Sequence, residues 1–225
     1  MSELNGPLNI PQTVQIGGKT YPVEVLAVRM FEGEGESLIK NITAITLPEG
    51  LKRLEKNSLY SEVVSATEVT IPASVEYVGT YFLRGETLKK ITFKGSPVLA
   101  DNSVGSNYKL IHFMSQTPPS VGKYSFQSAH LMVVAPDIAS IPVYRTTLSG
   151  HWGVEKGYEL SVYGGLKEAD NVYYSAMEDG NACAIYFDGT QTSVALSKTI
   201  QIDGAARALA KIQTRTLLLQ KRLRK

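Results

Sequence analysis

Val69-Thr70-Ile71-Pro72-Ala73-Ser74-Val75-Glu76-Tyr77-Val78-Gly79-Thr80-Tyr81-Phe82-Leu83, running on to Leu88-Lys89-Lys90-Ile91-Thr92-Phe93, decides how this chain folds. It opens apolar-Thr-apolar-Pro, passes the apolar pair Val75 and Val78 into a bulky apolar step, and restarts as Leu-x-x-Ile-Thr-Phe. The same order stands upstream in Ile42-x-x-Ile45-Thr46-Leu47-Pro48, followed by Leu51, Leu54 and Leu59. The strand positions Ile45, Val69, Ile91, Ile111 and Leu131 follow one another at 24, 22, 20 and 20 residues. A fixed period of this length marks a solenoid, whose units cannot close a core alone and share one by stacking.

Each unit offers one short strand with alternate residues facing in. In Leu88-x-x-Ile91-x-Phe93 the residues Leu88, Ile91 and Phe93 face the core, and Lys90 and Thr92 face out. Pro48 and Pro72 end their strands because proline has no N–H to give to the ladder. Stacking then lines the outward residues up in columns. One column reads Asn9, Thr46, Thr70, Thr92 and His112; its neighbour reads Ala44, Glu68, Lys90 and Leu110. Threonine suits a strand surface without any ligand, yet solenoids also bind partners on such a face. The candidate binding residues are therefore Asn9, Thr46, Glu68, Thr70, Lys90, Thr92 and His112.

The pattern V-T-I-P-x-S-V-x-x-V-G with L-x-x-I-T-F resembles the BspA-like leucine-rich repeats of bacterial surface proteins. Two further phrases fit: Ile111 to Val121, with Pro118-Pro119, and Val134-Ala135-Pro136 followed by Tyr144-Arg145 and His151-Trp152. The resemblance covers about Leu8 to Val154. It implies a leucine-rich-repeat solenoid of α/β type, with short parallel strands on the concave face and mostly non-helical convex legs. Residues 1–157 would hold about five to six repeats, closed by Trp152 over the open end of the core. It also implies a non-enzymatic module for adhesion or protein binding at a bacterial cell surface, with a protein or host-surface ligand as partner.

Composition and motifs limit the alternatives. Catalysis needs a nucleophile with a base, paired carboxylates or a metal, and no such motif is present; His112, His130 and His151 stand about twenty residues apart, one to a repeat. Neither a cofactor nor a metal is expected, since Cys183 is the single cysteine beside three histidines. Glu32 to Ser37 and Asp101 to Asn107 read as solvated turns, the latter lacking the closing Glu of a calcium loop. No 18-residue apolar run exists, so no membrane span is expected. Met1 to Gly6 lacks a basic and apolar leader; the chain reads as the mature or excised portion of a surface protein, or as an intracellular relative.

From Tyr158 the text changes, and residues 158–225 read as a separate C-terminal segment. Val172 to Ala176 and Ala182 to Phe187 form a hairpin around Glu178-Asp179-Gly180-Asn181. Val194 to Gly204 then aligns without gaps on Leu8 to Gly18 at an offset of 186, with Thr13, Gln15, Ile16 and Gly18 repeated as Thr199, Gln201, Ile202 and Gly204. The hairpin arm seen at Tyr21 to Val23 is missing, and in its place the composition predicts a helix over 205–225, with Leu209, Ile212, Thr216, Leu219 and Leu223 at helical spacing. That stretch carries seven basic residues and no acid, against 16 basic and 21 acidic elsewhere. An anionic-surface or nucleic-acid contact is the third reading, disfavoured by the lack of interleaved aromatics. The second reading is structural: residues 172–202 of one copy adding to the edge at Leu8–Ile16 of the next, giving head-to-tail assembly.

Overall fold

The structure is a computed structural model that describes residues 4–30, 39–60, 64–84, 87–104, 110–126, 131–149, 160–187, 189 and 194–213. The chain opens with β1 (Leu4–Asn9), the hairpin β2 (Thr13–Ile16) and β3 (Lys19–Pro22), and the short β4 (Val25–Leu26). The repeats follow as β5 (Ile39–Thr46), β6 (Arg53–Leu54), β7 (Leu59–Tyr60), β8 (Glu68–Ile71), β9 (Tyr77–Val78), β10 (Leu83–Arg84), β11 (Lys90–Phe93), β12 (Val98–Leu99), β13 (Leu110–Phe113), β14 (Ser120–Val121) and β15 (Met132–Ala135). Helix α1 (Ile141–Leu148) precedes β16 (Ser161–Ala169), β17 (Val172–Ala176), β18 (Ala182–Phe187), β19 (Thr199–Ile202) and β20 (Ala205–Ile212).

The repeats coil as a solenoid of strands. Strands β8, β11, β13, β15 and β16 run parallel in that order, which brings Val69, Ile91, Ile111, Val133 and Val162 into one inward column. The return legs are strands too: β4, β6, β9, β12 and β14 make a second parallel sheet, stacking Leu26, Leu54, Val78, Leu99 and Val121. These two columns face each other across a core that runs from Leu26 to Val162. Phe93 and Phe113 stack within it, with ring centroids 5.2 Å apart. Four of the five coils turn a corner three residues after the second-sheet strand, where Arg29, Asn57, Tyr81 and Asn102 all take φ between 49° and 56°. Asparagine tolerates that left-handed corner best.

Helix α1 was not foreseen, and it adds its own side chains to the core; Trp152, expected to close the open end, lies outside the described residues. Its buried side chains Ile141, Tyr144 and Leu148 sit at helical spacing on one face. Tyr144 packs 5.3 Å from Phe113 and donates its hydroxyl proton to Ser115 O at 2.7 Å. The 157/158 boundary also falls outside the described residues, but the sheet runs on across it: β16 pairs in parallel with β15 and then antiparallel with β17. The switch occurs at Gly164-Gly165, where a bulge shifts the register and Ser175 Oγ donates to Gly164 O.

The helix expected over 205–225 is corrected for its first part. Residues 205–212 form strand β20, antiparallel to β19, so the hairpin arm thought missing is present. Alternate residues Ala205, Arg207 and Leu209 are half-buried and Ala206, Ala208 and Ala210 exposed, a period of two that tertiary pairing favours over helix propensity. Residues 214–225 lie outside the described part of the chain.

Candidate binding face

The outward columns form as the spacing requires, but in two pieces. Thr70, Thr92 and His112 lie opposite one another on β8, β11 and β13, and so do Glu68, Lys90 and Leu110. Asn9 lies opposite Thr46 on β1 and β5. Between the pieces the ladder is interrupted: among the described residues β5 pairs only with β1, and β8 only with β11, along their strand lengths. The chain is tied to β5 just ahead of β8, where Ile42 O accepts the N–H groups of Ser65 and Ala66 at 2.9 and 3.0 Å. The two strands then part.

Which backbone groups face the opening follows from parity. Lys90 N–H donates to Thr67 O and Lys94 N–H to Ile71 O, so those β8 groups look toward β11. In a parallel ladder the alternate residues look the other way; Glu68 and Thr70 therefore turn their N–H and C=O groups into the opening. Ile10 N–H donates to Thr46 O, which by the same rule aims the backbone of Ile45 and Leu47 into it from β5. The result is a cavity of about 430 Å³ lined by Ala44, Thr46, Glu49, Glu68, Thr70 and Lys94 among others. Lys94 Nζ pairs with Glu49 Oε1 at 2.9 Å, the lysine just after β11 and the glutamate just after β5.

Past β11 the face is covered. Thr92 is buried and His112 half-buried, and beyond them Leu110, Met132, Val134 and Tyr163 pack beneath Tyr173, Cys183 and Ile185 in a second core. The cause is curvature. Strands β11 and β17 are four strand steps apart, about 19 Å along a flat sheet, yet Lys90 Nζ sits 5.1 Å above the Tyr173 ring. The sheet has rolled so that β16 to β18 overhang the concave side. A smaller cavity of about 210 Å³ remains at the lip, between Glu68, Lys89 and Lys90 below and Glu168, Tyr173 and Tyr186 above. Burial, helped by the Lys90 charge, pushes the His112 pKa down to about 4, so the ring is neutral at pH 7. Burial also pushes the Tyr163 hydroxyl up to about 12.

No protein-family model matches the chain, and no curated protein matches it. Among solved structures, the crystal structure of the pneumococcal vaccine antigen PcpA is similar at 17% identity and a TM-score of 0.31, over 82% of this chain and 48% of that one. This chain thus spans about half the length of that structure.

Of the seven expected residues, the open part of the face keeps Asn9, Thr46, Glu68 and Thr70 exposed, with Lys90 half-exposed at the lip. Lys90 is paired to Glu68, so the two neutralise each other across adjacent strands. Among the described residues, no three His, Cys, Asp or Glu side chains are grouped to hold a metal, and no helix is long and apolar enough to cross a membrane. Of the seven basic residues after Gly204, Arg207 and Lys211 lie on β20, and Arg207 Nη1 donates to Gly180 O at 3.1 Å. Asp101 and Asn102 form a turn and Val104 bridges to Phe126; Glu32 to Ser37, His130 and His151 lie outside the described residues.

Proposed function

We propose that this chain is a leucine-rich-repeat binding module resembling the BspA-like surface proteins, and that it captures an extended segment of a partner protein at the opening between β5 and β8. The observation that carries this reading is the interrupted ladder. Two strand edges face one cavity with unused backbone groups at Ile45, Glu68 and Thr70, lying on the face where the outward columns run. An extended peptide takes up such groups by adding as a strand: main-chain bonds supply affinity, and alternate side chains supply selectivity. Here the selecting groups are Glu49 and Glu68 against Lys94, with Thr46 and Thr70 between them. Recognition of this kind needs no cofactor and no catalytic step. Its place would be a bacterial cell surface, and its biological use adhesion to a protein or host-surface ligand.

The test is selection of a random-peptide phage library on the immobilised chain, with Thr70→Pro as counter-target. Proline at 70 removes the one N–H aimed into the opening from the middle of β8 and leaves the bonds to β11 untouched. Enriched peptides should bind the native chain and lose at least tenfold in affinity on Thr70→Pro, while circular dichroism is unchanged. Peptides that bind both equally, or no enrichment at all, would overturn the proposal.

A further inference from the structure

The two hairpins related by the offset of 186 are the same structure in different company. In the first, Thr13, Val14, Gln15 and Ile16 pair with Pro22, Tyr21, Thr20 and Lys19. In the second, Thr199, Ile200, Gln201 and Ile202 pair with Ala208, Arg207, Ala206 and Ala205, each partner again 186 residues on. The turns match as well: Gly17 and Gly18 have φ of 57° and 76°, Asp203 and Gly204 of 51° and 74°, the mirror-image turn that two-residue hairpins prefer. What differs is cover. Ile200 and Ile202 are 8% and 2% exposed, packed with Val172, Tyr174, Ala184 and Phe187 of the β17–β18 hairpin. Their counterparts Val14 and Ile16 are 37% and 64% exposed, and Tyr21 beside them 44%.

The equivalence continues into the backbone. Strand β20 pairs in parallel with β18, matching Ala182, Cys183 and Ala184 to Leu209, Lys211 and Ile212. Shifted by 186, those last three are Val23, Val25 and Leu26, the approach to and the whole of β4. Among the described residues, strand β4 is an edge of the second sheet and pairs with β6 alone. Leu26 O and Glu24 O accept from β6, so Val25 turns its backbone to the open side. At the C-terminal end Gln213 N–H donates to Ala184 O, and 213 has the parity of 211 and, less 186, of 25. The open edge of β4 is therefore the edge that its counterpart uses to hold β18.

We propose that the β2–β4 unit is a docking surface for the β18 edge of a second copy of this chain, in the register Ala182 on Val23, Cys183 on Val25 and Ala184 on Leu26. In every copy that edge is held by its own β19–β20, so docking is an exchange of one hairpin for its counterpart. The internal hairpin has the advantage of a high effective concentration, and the closed monomer dominates until that hairpin is weakened. The contact is heterologous, and repeated use gives rings or open filaments. This replaces the strand edge expected to join copies: on β1, Ile10 and Leu8 bond toward β5, so Pro7 stands on the free side without an N–H to offer. A proline there blunts the edge.

The experiment uses the full chain and light scattering across a concentration series. The double substitution Ile200→Asp, Ile202→Asp should release β19–β20 and produce association that grows with concentration. Adding Ile16→Asp, at a side chain already exposed in its own copy, should return the protein to monomer, and adding Val25→Pro should do the same. A monomeric double variant with intact circular dichroism, association that survives Ile16→Asp, or a dimer of fixed size that Val25→Pro leaves unchanged would each overturn the proposal. Should the double variant fail to fold, a hairpin transplant decides the matter: Ile200→Val and Asp203→Gly with Ala205→Lys, Ala206→Thr, Arg207→Tyr and Ala208→Pro writes the first hairpin into the place of the second. If the two are interchangeable on β18, the transplant stays folded and melts within a few degrees of the native chain. A transplant that leaves β18 open, read by rapid amide exchange at Cys183 to Ile185, refutes it.

Discussion

Replacing Ile91 by alanine tests the register of the whole solenoid. Ile91 is fully buried on β11, with Val69 and Ile111 opposite it on the flanking strands. The substitution removes three carbon groups, and transfer alone accounts for about 2.4 kcal/mol at roughly 0.8 per group. The cavity left behind adds to this, and its size depends on how far the neighbours can collapse. Here they are pinned: β11 is bonded on both sides, to β8 and to β13, so neither Val69 nor Ile111 can close in without breaking a ladder. The expected loss is therefore in the upper part of the range for such changes, about 3–5 kcal/mol. Urea unfolding followed by circular dichroism measures it. As the contrast, Val98→Ala on β12 removes a side chain that is 47% exposed and should cost no more than about 0.5 kcal/mol. A loss below about 1 kcal/mol at Ile91, or equal losses at both sites, would mean that the inward column is misassigned.

Two further outcomes follow from the rolled end of the sheet. His112 has its folded pKa at about 4 against an ordinary 6.5, so between those values the unfolded chain binds a proton that the folded one refuses. Stability should then fall as pH drops through that window, by up to about 3 kcal/mol once below pH 4; comparing urea midpoints at pH 7 and pH 4 for the native chain and His112→Gln isolates this share, and superimposable pH profiles would refute it. Gly164→Ala would place a Cβ 2.5 Å from the carbonyl of Asp137 and the nitrogen of Ile138, backbone atoms that cannot rotate aside, so a loss of about 1–3 kcal/mol or more is expected in thermal melts, and a native melting temperature would show that the β15–α1 turn yields freely.

The repeats were legible because one apolar column per strand is a local pattern repeated at nearly fixed spacing, and stacking turns that spacing directly into register. Thr70, Thr92 and His112 stand abreast for that reason. The break between β5 and β8 was not legible. Ile45 and Val69 obey the period as well as any pair, and nothing in either strand's alternation says that their backbones part after Ile42. Helix α1 escaped notice because Ile141 to Leu148 offers only three buried positions in eight residues, too short a run for periodicity to separate from the strands beside it.

The covering of the concave face did leave a signal. A strand with one wet side alternates apolar and polar residues, as Glu68-Val69-Thr70-Ile71 does. Val172-Tyr173-Tyr174-Ser175-Ala176 and Ala182-Cys183-Ala184-Ile185-Tyr186-Phe187 do not alternate, and every residue of β17 is buried. Two apolar sides require two cores, and here Val172, Tyr174 and Ala184 face one while Tyr173, Cys183 and Ile185 face the other. The second of these cores takes in Tyr163 and the outward residues Leu110, Met132 and Val134 of the solenoid. Those three were themselves apolar where Glu68 and Thr70 are polar. The change from polar to apolar along each outward column, at Lys90 to Leu110 and at His112 to Val134, thus marks where the open face ends and the rolled sheet begins.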